Sequence, residues 1–226
     1  KGGAAITRGN RIGLLRESID RNGFVRIIEA HNGISALVGE SAKIESDQDI
    51  IEFDGLWESS LTDSAAKGLP DVELVGLESR LSTINEILGV TRKPIIVDGD
   101  TGRSAVEFEY LVRNLKRLGV SAVIIEDKVY PKRNSLDASA NQTLADPDEF
   151  AQKIERGKKE SLTSEFMIIA RLESLIAGTG LSDALARAEK YINAGVDGIM
   201  IHSQKSQPDE ILAFADSYDS LCQSIG

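Results

Sequence analysis

The sequence predicts an α/β fold of alternating strands and helices, closing as a (β/α)8 TIM-type barrel. Three observations carry this. Six short aliphatic runs recur at spacings of about 25 to 40 residues with helical stretches between them, the range of crossover units. Aromatic residues are only 5% against 41% hydrophobic residues, so the core should be mostly aliphatic, which suits parallel strands covered on both faces. Polar residues terminate nearly every aliphatic run, as they do at the catalytic face of a barrel. Right-handed crossovers would close such a series either into a barrel or into an open, doubly wound sheet, and the polar strand ends favour the barrel. A barrel needs eight strands in roughly 250 residues. Six are legible in 226 residues. The expectation is therefore one barrel domain over 1–226 that lacks its last units in this chain, or else an open sheet.

The elements follow in order. Residues 11–21 place Ile12, Leu14, Leu15 and Ile19 on one side of a helix. Phe24 to Ala30 reads as a strand, His31-Asn32-Gly33 as a turn, and 34–43 as a helix. An acidic loop over 45–49 precedes a second strand that begins at Ile50-Ile51 and runs through Gly55 to Leu56. Trp57-Glu58-Ser59-Ser60 reads as a polar turn, and 61–71 as a loop punctuated by Gly68 and Pro70. Leu77, Leu81, Ile84, Ile87 and Leu88 give helical spacing within 72–89. The third strand, 94–97, ends in Asp98-Gly99-Asp100-Thr101-Gly102. A helix over 104–118 carries Val106, Tyr110, Leu111, Leu115 and Leu118, with Gly119 as its stop. The fourth strand, 121–125, enters a loop dense in acid, base and amide side chains. Residues 137–146 have no apolar period. Asp146-Pro147 suits a helix start, with Asp as cap and Pro at the first position. The fifth strand, 166–170, ends at Arg171-Leu172-Glu173. A helix over 181–194 stops at Gly195, the sixth strand is 198–201, and Pro208 begins a last helix towards residue 221.

The net charge of −10 argues against a sequence-independent nucleic-acid binder, which needs a basic face. One cysteine, Cys222, forbids an intrachain disulfide and fits a reducing, cytoplasmic setting. No apolar run approaches the length of a membrane span. No signal-peptide pattern opens the chain, and Lys1 leaves the native start open.

The chemistry concentrates at strand ends. Asp98 and Asp100 stand two apart, so both side chains can share a face at about 6.6 Å. Glu126 ends the next strand and could supply a third oxygen. Oxygen-only ligands suit Mg²⁺ or Mn²⁺ rather than zinc. The competing reading of Asp-Gly-Asp is a capped turn. Arg171 and His202 end the fifth and sixth strands. Arg171 either faces a ligand or pairs with a local acid such as Glu173. His202 either moves a proton or is a hydrogen-bonded core residue. His31 has the similar alternative of a turn residue. Lys132 and Asn134 sit in the polar loop, where Arg133 and Lys128 are read as facing solvent. Trp57 is either packed or, with Ser59 and Ser60, part of a donor set for an oxyanion. No nucleotide-binding glycine pattern or Ser-His-Asp signature is present.

Glu126-Asp127-Lys128-x-x-x-Lys132-x-Asn134-Ser135-Leu136 resembles the gating-loop signature of the phosphoenolpyruvate mutase family in the isocitrate lyase superfamily. Further segments resemble that family in the same order. They are Glu29-Ala30-His31-Asn32-Gly33, Phe53 to Leu61, Asp98 to Gly102, Ile169 to Ser174, and Ile201-His202-Ser203. The resemblance implies interconversion of phosphoenolpyruvate and phosphonopyruvate on an α/β barrel. It implies Mg²⁺ held by Asp98, with Asp100 and Glu126 acting mainly through water. It assigns Trp57, Ser59 and Ser60 to the pyruvate part of the substrate. Arg171, Asn134 and His202 are assigned to phosphoryl or carboxylate contacts, with Ser203 beside them. Asp71 matches a carboxylate next to the reacting group, and Lys132 a lysine of the gate, about 127–145. It further implies a homodimer or homotetramer with a swapped C-terminal helix, and a phosphonopyruvate decarboxylase downstream. Asn134 stands where phosphonopyruvate hydrolases typically carry threonine, which favours the mutase over that runner-up. The catalytic cysteine of the carbon–carbon lyases has no counterpart in 126–136. A silent binding barrel is the remaining alternative. Arg103, after Thr101-Gly102, departs from the family's common residues.

Overall fold

The computed structural model describes residues 8–45, 50–137 and 139–225. The elements run α1 (Arg8–Asn22), β1 (Ile27–Ala30), α2 (Gly33–Ser41), β2 (Lys43–Glu45), β3 (Ile50–Glu52), β4 (Gly55–Glu58), α3 (Ser60–Ala66), α4 (Leu77–Val90) and β5 (Ile95–Asp98). They continue with α5 (Ala105–Leu118), β6 (Ala122–Glu126), α6 (Pro147–Ser161), β7 (Met167–Leu172), α7 (Ser174–Ala177), α8 (Gly180–Asn193), β8 (Gly198–Ile201) and α9 (Asp209–Ile225). Six strands form one sheet in the order β1-β4-β5-β6-β7-β8. The strands neighbour one another in chain order, whereas a doubly wound sheet reverses its order at a switch point. This is barrel topology, with six of the eight units that a closed barrel of this class contains. No helix of the described residues is long and apolar enough to cross a membrane.

The described chain divides into two compact units. Of the described residues, the first comprises 8–45, 50–98, 110–123 and 163–167. Within it β1 pairs β4 in parallel, Ile27 opposite Gly55, and β4 pairs β5, Leu56 opposite Ile95. Leu56, Ile95 and Val97 are fully buried, as strands covered on both faces require. The second unit comprises, of the described residues, 99–109, 124–137, 139–162 and 168–225. Within it β7 pairs β8 in parallel, Ile169 opposite Gly198. Ile168, Ala170 and Leu172 are fully buried. Asp146 caps α6 as its sequence predicts, accepting from the N–H groups of Asp148 and Glu149 ahead of Pro147. Gly119 and Gly195 end their helices at φ of 84° and 86°, the left-handed region that costs glycine nothing.

Several expectations change. Ile50-Ile51 does not begin the second barrel strand. It lies in β3, which pairs antiparallel with β2 in a separate two-stranded sheet, and Ile50 and Ile51 are exposed. The barrel strand starts at Gly55 and takes in Trp57 and Glu58, read from sequence as a turn. The predicted loop 61–71 contains most of α3, a helix of seven residues too short to show a period. The buried face of α5 is Phe108, Leu111, Val112 and Leu115, while Val106 and Tyr110 are exposed. Of the predicted acidic loop 45–49, residues 46–49 lie outside the described residues, as do Lys1 and residue 138 of the polar stretch.

Candidate functional site

In the first unit, β5 delivers Asp98 to its C-terminal end, where only 5% of the residue is exposed. Ser60, the first residue of α3, donates its hydroxyl to Asp98 Oδ2 at 2.8 Å and lies 3.4 Å from Asp71 Oδ1. One short helix thus draws Asp71, Ser60 and Asp98 together. Arg80, buried on α4, donates to the Asp98 carbonyl and pins the end of the strand. Trp57 is half-buried, and its indole N–H has no hydrogen-bond partner among the described residues. Ser59, half-buried, occupies the cap position of α3 without using its side chain as a cap. His31 keeps to its turn: its ring pairs with Glu29 at 3.0 Å, and its N–H donates to Ser35 Oγ.

In the second unit, Gly99 N–H donates to the Ile124 carbonyl, and Glu126 N–H donates to the Asp100 carbonyl at 2.8 Å. These bonds tie the Asp-Gly-Asp turn to β6. Asp100 sits at φ 54°, a left-handed conformation that aspartate tolerates better than most residues. Its carboxylate meets Lys132 Nζ at 2.8 Å, and Lys132 is only 3% exposed. Glu126 ends β6 fully buried. Its carboxylate lies against Arg171 and 3.7 Å from Lys128 Nζ, and neither oxygen accepts a directed hydrogen bond from the described residues.

Glu173 is the hub. Arg171 Nε donates to Glu173 Oε1 at 2.7 Å, and Ser135 Oγ donates to Oε2 at 2.7 Å. His202 Nδ1 lies 2.8 Å from Oε1, and Lys128 Nζ 3.5 Å from Oε2. Burial alone would raise the pKa of this acid. The His202 bond and the charges of Arg171 and Lys128 outweigh it and hold the carboxyl at about 2. Of the alternatives open for Arg171, the ion pair is realised, with Glu126 as well as Glu173. His202 is hydrogen-bonded to Glu173 but only half-buried, so it is not the core residue of its second reading.

Lys128 corrects the expectation that it faces solvent. It is 2% exposed, and its ammonium donates to the Arg133 carbonyl at 2.7 Å, Ser135 Oγ at 2.6 Å and Gln142 Oε1 at 3.2 Å. A buried ammonium is tolerable only when saturated in this way. Arg133 is exposed, as predicted. Asn134 is half-buried and turned on its own loop: Oδ1 accepts from Leu136 N–H, and its carbonyl accepts from Gln142 Nε2. Ser203 donates to Glu210. Sequence reasoning also missed Asp127, fully buried, which accepts from Glu173 N–H, Tyr191 OH and Arg187. Burial pushes its pKa up, against the pull of these partners. The i, i+4 series Asp183, Arg187 and Tyr191 on α8 is the one signal that could have found this cluster.

Among the described residues no group of three or more His, Cys, Asp or Glu comes together as a metal-ligating cluster. The donors nevertheless fit a hard cation in kind. Asp98 of the first unit, and Asp100 and Glu126 of the second, each offer only oxygen and are buried; Asp100 is paired with Lys132 and Glu126 with Arg171.

The profile of the family described as phosphoenolpyruvate phosphomutase matches residues 15–224. The phosphoenolpyruvate phosphomutase of Tetrahymena pyriformis is 39% identical over 201 residues, 88% of this chain and 64% of that protein. The phosphonopyruvate hydrolase of Variovorax sp. (strain Pal2) is 36% identical over 205 residues, 90% of this chain and 68% of that protein. Among solved structures, a phosphoenolpyruvate phosphomutase from Streptomyces platensis subsp. rosaceus superposes with a TM-score of 0.82 at 38% identity, covering 89% of this chain and 67% of that one. A phosphonopyruvate hydrolase complex with oxalate and Mg²⁺ superposes at 0.80 and 34% identity, covering 92% and 68%. The chain therefore spans about two thirds of the length of these relatives, and slightly less of the Tetrahymena protein. It belongs to the phosphoenolpyruvate phosphomutase family.

Proposed function

We propose that this protein is a phosphoenolpyruvate mutase, moving a phosphoryl group between C3 and the enolate oxygen of pyruvate. The observation that carries the choice within the family is Asn134, in the loop signature where phosphonopyruvate hydrolases typically carry threonine. In the phosphonopyruvate direction the phosphorus–carbon bond breaks and its electron pair stays with pyruvate as the enolate. The enolate oxygen then forms the new bond to phosphorus. The transferring group is loose and carries spread charge, so positioning and donors do most of the work.

Asp98, Asp100 and Glu126 are the residues that would hold Mg²⁺, or Mn²⁺ in its place. The bound ion would supply positive charge to stabilise the enolate oxygen. Trp57, whose N–H has no hydrogen-bond partner among the described residues, and Ser59 and Ser60 are assigned to the pyruvyl part. Arg171, Asn134, His202 and Ser203 are assigned to phosphoryl and carboxylate oxygens, and Asp71 to the reacting group. Lys132 belongs to a gate formed by 127–145, which must exclude water so that the enolate recaptures the phosphoryl. We further assign the protein to the cytoplasm, as a homodimer or homotetramer with its last helix swapped, acting ahead of a phosphonopyruvate decarboxylase.

Phosphonopyruvate hydrolase is the second reading, because the Variovorax relative is nearly as similar as the Tetrahymena one. Phosphorus NMR of the protein with phosphonopyruvate and Mg²⁺ tests both. Phosphoenolpyruvate as product upholds the mutase, inorganic phosphate moves the assignment to the hydrolase, and no turnover overturns both.

A further inference from the structure

The segment that leaves β6 and returns to α6 is pinned at its base. Val129 N–H donates to the Thr143 carbonyl at 3.0 Å, Ala145 N–H donates to the Asp127 carbonyl at 2.9 Å, and Lys128 bridges Leu144 antiparallel. Its two feet are thus residues 127–129 and 143–145. A second structure crosses both. Arg187 of α8 sends Nη1 to Asp127 Oδ2 at 3.2 Å and to the Ala145 carbonyl at 3.0 Å. Its Nε is held by Asp183 at 3.0 Å, so the planar guanidinium has a fixed orientation. Asp183 is itself oriented by Ser174 Oγ at 2.8 Å and Thr179 Oγ1 at 2.6 Å. Tyr191 OH donates to Asp127 Oδ2 at 2.9 Å. The other Asp127 oxygen accepts from Glu173 N–H at 2.9 Å, and Glu173 in turn holds Arg171. Asp127 and Tyr191 are fully buried and Arg187 is 8% exposed, so these charge-assisted bonds act with little solvent screening.

We propose that Arg187 is a positioning residue, a staple that fixes both feet of the 127–145 segment through Asp127 and Ala145 and couples them to Glu173. It touches no residue assigned to the substrate. Its effect runs through two backbone positions: where the segment is hinged, and where the Glu173 carboxylate stands to orient Arg171. The staple stands on geometry alone. Its consequence for turnover rests on the proposed role of the segment as a water-excluding gate.

The test is amide hydrogen exchange on the full chain, comparing wild type with Arg187→Met and Tyr191→Phe. In Arg187→Met the amides of Val129, Ala145 and Glu173 should exchange about 10- to 100-fold faster, the loss expected for charge-assisted bonds. Leu56 N–H, bonded to the Pro94 carbonyl, should be unchanged. Tyr191→Phe removes one hydroxyl and should raise the same three rates several-fold; it carries the test if Arg187→Met does not fold. Wild-type exchange at all three amides overturns the staple, whatever the turnover. The same variants are then assayed with phosphonopyruvate. A larger share of inorganic phosphate relative to phosphoenolpyruvate upholds the coupling to a gate. Faster exchange with an unchanged product share upholds the staple and overturns the gate reading.

Discussion

Glu173→Gln removes the one charge on which Arg171, Ser135, His202 and Lys128 converge. The substitution keeps the shape of the side chain. A neutral amide, however, has one acceptor oxygen where the carboxylate had two, and it turns an N–H towards groups that are themselves donors. Carrying the acid from its ordinary 4.5 down to about 2 in the folded protein is worth about 3 kcal/mol at neutral pH. That is also the scale of breaking a buried pair by removing one partner. For a chain of this size it corresponds to a fall in Tm of about 6–12 °C. The pH dependence has a definite sign. The folded pKa lies below the unfolded one, so the stabilisation is fully present above about 4.5 and is lost as pH falls towards 2. Urea denaturation of wild type and variant, from pH 7 to pH 3, should give a gap that is constant down to about pH 5 and then narrows. Carboxylates remote from Glu173 cancel in the difference, whereas Asp127, which feels the Glu173 charge, does not. A variant as stable as wild type at pH 7, or a gap that does not narrow below pH 4, would refute the hub.

Asp98→Ala should lower phosphonopyruvate turnover by about 10³-fold or more, and chelation of divalent ions should do the same to wild type reversibly; substantial activity in either case removes the metal assignment. Asn134→Thr should raise the share of inorganic phosphate among the products, read by phosphorus NMR, and an unchanged ratio would deny this position its role in selectivity. Gly157→Ala tests the packing of α6. The added Cβ would run into Phe108 Cε1 and lie 2.9 Å from Ile168 Cδ1, so the variant should lose about 1–3 kcal/mol in urea denaturation; a wild-type midpoint would contradict that close approach.

The sequence reveals the barrel units because their physics is local. Ile95 to Val97, Ala122 to Ile125 and Met167 to Ala170 are aliphatic runs with polar ends, and the structure makes each a largely buried strand. Ile50-Ile51 looks the same over a short window, yet it is exposed beside β2, because its covering is decided by residues far away in sequence. The same division holds at the candidate site. Asp98 and Glu126 end β5 and β6, Arg171 is the penultimate residue of β7, and Asp100 and His202 follow β5 and β8, so a legible strand carries each to its place in the chain. Lys128 is not legible. Nothing beside it distinguishes a solvated lysine from a buried one, and its burial depends on Arg133, Ser135, Gln142 and Glu173 arriving around it. Asp127 is hidden for the same reason, since its partners stand 46 to 64 positions away.

This division bears on how the loop signature works. Its residues do not act as one exposed cluster. Glu126 belongs to the rigid end of β6, Lys128 and Ser135 to the interior around Glu173, and Lys132 to Asp100. Asn134 turns its Oδ1 back to the Leu136 N–H, so part of its chemistry is spent shaping the loop. Threonine closes such a turn more weakly, through a hydroxyl on a stiffer, branched side chain. A mutase-to-hydrolase change at this position therefore need not act by contacting the phosphoryl group. Loosening the turn would shift Ser135, whose hydroxyl links Lys128 to Glu173; under the proposed function, a gate seated less firmly on that pair would admit the water that competes with the enolate.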